Sequence, residues 1–233
     1  METFTRAGLT FDVRDGGRPD AECFVLLHGF PETSMSWARV AEQLHREGYR
    51  TLAPDQRGYS PRARPEGVAP YRIEELAADV VALVDQSGGE RVHLVGHDWG
   101  GIVAWYLGAH HPEAFRTLTV LSTPHPRGYI NALLRSGQLL RSWYALTWQL
   151  PALPERVMLA RDGARLRSAL VRSGLDPAAA GQYVDPLREP AALTAALNWY
   201  RAVRLSWRAY RSLPAVELPT LYVWSTSDAA LGE

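Results

Sequence analysis

"RVHLVGHDWGGIVAWYLGAHHP", residues 91–112, decides how the rest of the chain is read. Its first six residues are apolar enough for a buried strand, and residues 100–112 have the look of a helix closed before Pro112. Between them lies Gly96-x-Asp98-x-Gly100, a strand-to-helix turn with a carboxylate where such turns usually carry a serine. Glycines are needed on both sides because the turn is tight. The turn lifts Asp98 above the carboxyl edge of the sheet, where ligands bind in open α/β folds. The following helix aims its positive end at the same place. Asp is also a favoured helix N-cap, so the turn alone leaves a structural role open.

Working outward, "LTFDVRD" (9–15) alternates like a strand and "CFVLLH" (23–28) is a continuous apolar run. Residues 35–48 have helical spacing, and 49–54 read as the next strand. Residues 71–89 form an amphipathic helix stopped by two glycines, and 115–122 form another strand. Strand and helix in alternation mean an α/β fold with a mostly parallel sheet and helices on both faces. From Pro124 to Pro219 strand patterning gives way to helical segments, and "PTLYVWS" (219–225) resumes the sheet. The expected organisation is a core at 1–123, an inserted helical cap at 124–215, and the rest of the core at 216–233.

The composition excludes several classes. The 25 basic residues are all arginine and balance 25 acidic ones, which leaves no electrostatic footprint for nucleic acid or an anionic membrane. The single cysteine, Cys23, permits no disulfide framework, and the seven histidines show no metal-site spacing. No cofactor is expected. No segment is apolar enough to span a bilayer, and the first residues lack a signal-peptide layout, so a cytoplasmic location is expected.

Three further stretches bear on Asp98. "HGFP" (28–31) follows the apolar strand, and the amides of Phe30 and Trp99 would form a two-donor oxyanion hole. "SWYALTWQLP" (142–151) and "LNWYR" (197–201) put Tyr144 and Tyr200 in the helical insert. A lid tyrosine is ordinarily packing. Two of them above an aspartate nucleophile are less ordinary.

In order and spacing, "HGFPE", "DQRGYS", "LVGHDWGG", "LNWYR" and "PTLYVWSTSD" resemble the α/β-hydrolase fold in its epoxide hydrolase branch. The resemblance covers nearly the whole chain. It implies a carboxylate that opens an epoxide by attack on an sp³ carbon, becoming an alkyl ester. Tyr144 and Tyr200 would bind the ring oxygen, and the ester carbonyl would sit between the Phe30 and Trp99 amides. Asp228, after the strand that follows the cap, would orient a histidine that activates water. His28, Pro31, Trp99, Trp148 and His125 are expected to line the pocket for a small apolar epoxide, with water as the second reactant. The haloalkane dehalogenase reading shares Asp98 but holds halide with Trp or Asn donors.

The histidine is expected downstream of Asp228. All seven histidines (28, 45, 93, 97, 110, 111 and 125) lie upstream. The expectation is therefore a chain cut short before its last strand, its base and its closing helix, with an exposed sheet edge and poor turnover. His125 is the one candidate for a substitute base. A remnant that binds apolar ligands without chemistry is the reading from a different class.

Overall fold

A computed structural model of the 233-residue chain describes residues 1–88, 90–135, 147–189 and 191–225, with the backbone alone for 131–135. Tyr144 and Asp228 lie outside the described residues.

The strands are β1 (Thr3–Arg6), β2 (Leu9–Gly16), β3 (Cys23–Leu27), β4 (Arg50–Pro54), β5 (Val92–His97), β6 (Phe115–Leu121) and β7 (Thr220–Val223). They form one sheet in the order β1-β2-β4-β3-β5-β6-β7. β1 and β2 run antiparallel to their neighbours, and β4, β3, β5, β6 and β7 run parallel. The mostly parallel sheet expected from the alternating pattern is present. The hairpin to β1 was not expected: four residues are too short for a periodic signal. Its turn carries positive φ at Ala7 and Gly8, the handedness that two-residue hairpins require.

The helices are α1 (Ala38–Arg46), α2 (Ile73–Gln86), α3 (Trp99–His110), α4 (Pro126–Arg135), α5 (Leu153–Leu159), α6 (Ala164–Arg172), α7 (Pro177–Leu187), α8 (Ala192–Ala202) and α9 (Trp207–Arg211). α2 buries Ile73, Leu76, Ala77, Val80, Leu83 and Val84, a stripe at helical spacing. α3 is apolar nearly all round, and most of it is buried, as a helix wedged on a sheet should be. Helices α4 to α9 lie between β6 and β7 in the chain. β7 closes the strand order at one edge and exposes Leu221, Tyr222 and Val223.

Hydrogen bonds tie the α8 region to the core. Trp199 Nε1 donates to the Arg57 carbonyl at 2.8 Å, Asn198 Nδ2 to the Gly67 carbonyl at 3.0 Å, and the Ile73 amide to Ser206 Oγ at 3.0 Å. Arg57 is itself fixed by two 2.7 Å bonds to the buried Asp79, which also accepts from Arg6 at 2.9 Å. The tryptophan that anchors α8 precedes Tyr200, so the core fixes where that tyrosine stands.

Candidate active site

Parallel pairing puts Leu27 opposite Gly96, so β3 and β5 end side by side. The loop after β3 and the turn after β5 therefore meet at the carboxyl edge of the sheet. Asp98 stands at the turn with φ 50° and ψ −121°, a conformation that costs a non-glycine residue roughly 1–3 kcal/mol and persists only where its surroundings impose it. Gly100 is one of those surroundings: a Cβ there would collide with the Leu27 carbonyl. Thr123 is another, its hydroxyl donating to the Asp98 carbonyl at 3.0 Å while its own carbonyl accepts from Trp105 Nε1 at 2.9 Å.

The Phe30 amide donates to Asp98 Oδ1 at 2.7 Å, and the Trp99 amide also bonds the carboxylate. The loop can come this close only because residue 29 is glycine, since a Cβ on Gly29 would land on the Asp98 carboxyl. Burial raises the Asp98 carboxyl above its usual range, against the pull of His97 and the two amides. Beyond that contact with Trp99, the first residue of α3, Asp98 makes no side-chain cap bond to the helix whose N-cap position it holds.

Three aromatic rings stand over this turn. Tyr200 meets Trp99 edge-on at 4.9 Å, Trp148 at 4.6 Å and Phe30 at 5.6 Å, and Trp148 lies 5.3 Å from Phe30. Tyr200, Trp148, Phe30 and Trp99 are thus brought together. Pro31, joined to Phe30 by a cis peptide, is buried.

Two of the expected pocket residues do something else. His28 is completely buried, its Nδ1 on the Gly29 carbonyl at 3.0 Å and its Nε2 accepting from the Gln56 amide at 3.2 Å. Burial lowers its pKa, so a neutral ring braces the loop and offers no surface to a substrate. His125 accepts from the Arg127 amide at Nδ1 and reaches the Pro214 carbonyl at Nε2, 3.2 Å away. With both ring nitrogens on backbone, it has no basic lone pair to spare as a substitute base.

Glu32 and His97 were not singled out by the sequence reading, although both sit in the quoted motifs. His97 Nδ1 lies 3.2 Å from Glu32 Oε2. Burial would raise the Glu32 carboxyl, but the His97 bond and charge outweigh it and hold it below the usual range. Thr123 was also missed; a lone threonine after a strand carries no signal. Among the described residues there is no cluster of three or more His, Cys, Asp or Glu side chains that could hold a metal.

Residues 22–232 match the family described as alpha/beta hydrolase fold. The chain belongs to that family, in its epoxide hydrolase branch. The AB hydrolase superfamily protein YfhM of Bacillus subtilis is 38% identical over 233 residues, covering 96% of this chain and 80% of that protein. Epoxide hydrolase A of Mycobacterium tuberculosis is 33% identical over 262 residues, covering 96% and 81%. The crystal structure of epoxide hydrolase VrEH1 from Vigna radiata superposes with a TM-score of 0.84 at 29% identity, covering 98% of this chain and 80% of that one. This hydrolase thus spans about four fifths of the length of these relatives, and no described helix is long and apolar enough to cross a membrane.

Proposed function

We propose that the chain opens an epoxide through an ester on Asp98, the step that leads in the family to a vicinal diol. The observation that carries this reading is the 2.7 Å bond from the Phe30 amide to Asp98 Oδ1. In this reading the two carboxylate oxygens do different work. Oδ1, held by the Phe30 amide, becomes the ester carbonyl oxygen. The other oxygen attacks the epoxide carbon.

In that attack a carbon–oxygen ester bond forms and the ring carbon–oxygen bond breaks. The electron pair goes to the ring oxygen, which takes a proton from a phenol. Tyr200, and Tyr144 with it, are proposed as the donors, reprotonated from solvent afterwards. Water then adds to the ester carbonyl, and the negative charge on Oδ1 is stabilised by the same amide. Collapse releases the diol and restores the carboxylate. Epoxide plus water is the whole balance, with Asp228 proposed as the acid that orients the base for the second half.

The second half needs a base, and neither His28 nor His125 supplies it, since both are spent on backbone groups. The ester on Asp98 is the intermediate that the two halves share. Water, a small apolar epoxide and no cofactor complete the proposed partners, and the proposed organisation is a core at 1–123 and 216–233 carrying a cap at 124–215.

The test offers an aryl epoxide and a 1-chloroalkane in parallel to folded protein. Alkylation by the epoxide, absent from Asp98→Ala, with no chloride release, supports the reading. Chloride release from the chloroalkane supports the haloalkane dehalogenase alternative. Binding of either compound with no covalent change supports a ligand-binding remnant.

A further inference from the structure

Arg201 follows Tyr200 on α8, is buried, and spends its guanidinium on four acceptors. Nε donates to the Trp148 carbonyl at 3.0 Å and Nη2 to the Leu150 carbonyl at 2.9 Å. Nη1 lies 2.9 Å from Glu155 Oε1 on α5 and 3.3 Å from Asn198 Oδ1 on its own helix. Glu155 Oε1 also accepts from the Thr194 hydroxyl at 3.1 Å. From the other side, Gln149 Nε2 donates to the Tyr200 carbonyl at 3.0 Å. Each residue of the turn Trp148–Gln149–Leu150 is thus bonded to residue 200 or 201.

We propose that Arg201 is a positioning residue for Tyr200, because its fork fixes the turn that presents Trp148 to the Tyr200 ring. The turn supplies one wall of the site: Trp148 stands edge-on to Tyr200 at 4.6 Å and 86°, and leans on Phe30. A planar five-donor fork can hold two carbonyls, a carboxylate and an amide oxygen at once, and a three-donor ammonium cannot. The charge is matched locally. Burial would raise the Glu155 carboxyl, but its bond and attraction to Arg201 outweigh that and lower it. Leu150 is exposed, so water can replace the guanidinium at that end of the turn. Loss of the fork then loosens the wall more than it unfolds the chain. The role rests on the epoxide-opening reading above.

Arg201→Lys keeps a cation beside Glu155 and loses the fork; Arg201→Gln loses both. The saturating rate of Asp98 alkylation by an aryl epoxide should fall about tenfold in Arg201→Lys and about a hundredfold in Arg201→Gln, the scale expected when a reacting group loses its orientation. The half-saturating epoxide concentration should move less than about threefold. Hydrogen exchange in peptides covering 147–156 should quicken, with β5 and α3 unchanged. If Arg201→Gln does not fold, Arg201→Lys decides. Wild-type alkylation rates in Arg201→Lys, or unaltered exchange at 147–156, overturn the proposal. A wild-type chain that takes no epoxide overturns the epoxide reading itself and the role of Arg201 with it, and the exchange data then still report whether the fork holds the turn.

Discussion

Phe30 and Asp98 are 68 positions apart in the chain, yet the amide of one donates to the carboxylate of the other at 2.7 Å. The bond exists because β3 and β5 pair in parallel and end together, and because Gly29 leaves room between them. It fixes which oxygen of Asp98 the loop amide holds.

Gly29→Ala therefore strikes the site without changing any polar group. Its new Cβ would occupy the place of the Asp98 carboxyl, so the loop must withdraw and the amide bond is lost. The alkylation rate should fall about a hundredfold or more, the usual scale for losing one such donor. Stopped-flow or quenched mass measurements on folded Gly29→Ala check this. A rate within about threefold of wild type would show that the amide is dispensable.

The pH dependence has a definite sign. In the proposed mechanism Asp98 must be ionised to attack, and burial raises its carboxyl above the usual value of 3.8. The alkylation rate should fall as pH drops through that raised value, with a midpoint above 3.8. Stability runs the other way. A group whose folded pKa is raised contributes stability that is fully present below its unfolded pKa and is lost as pH rises through the folded one. Asp98→Asn should accordingly stabilise the chain at neutral pH, with the gain shrinking as the buffer is made acidic. Urea titrations of both proteins at several pH values measure it.

Much of this was legible beforehand. The turn around Asp98 announces itself because two glycines and a strand-helix switch are all local. Trp148 and Tyr200 were legible only as lid aromatics near a nucleophile. What was not legible has a physical pattern. His28 and His125 were expected to line the pocket, but what a histidine does depends on what its two nitrogens meet. Those partners, Gln56 and Pro214, lie far away in the chain. Arg201 went unread for the same reason, since its acceptors on residues 148, 150 and 155 come together only through the fold. β1 gave no signal because four residues carry too little periodicity.

Tyr200→Phe keeps the ring that packs on Trp99 and removes only the hydroxyl. The chain should fold normally and lose about a hundredfold in epoxide opening, the lower part of the range for a positioned proton donor. A change below about threefold in alkylation rate would move the donor role to other groups.

Trp199→Phe tests the anchor below the site. It removes the 2.8 Å bond to the Arg57 carbonyl from a side chain that is almost fully buried. The unpaired carbonyl and the lost ring volume together should cost about 2–3 kcal/mol of stability. Equilibrium urea unfolding reads this directly. A cost under about 0.5 kcal/mol would mean that α8 is held by its other contacts.

One measurement tests the central claim most directly. Folded protein is mixed with one aryl epoxide and quenched over time, and each sample is read for intact mass, for the modified peptide and for free diol. The account predicts an adduct of one substrate mass on Asp98 that appears before free diol. Diol formed with no adduct at any time, or an adduct on any other residue, would contradict it.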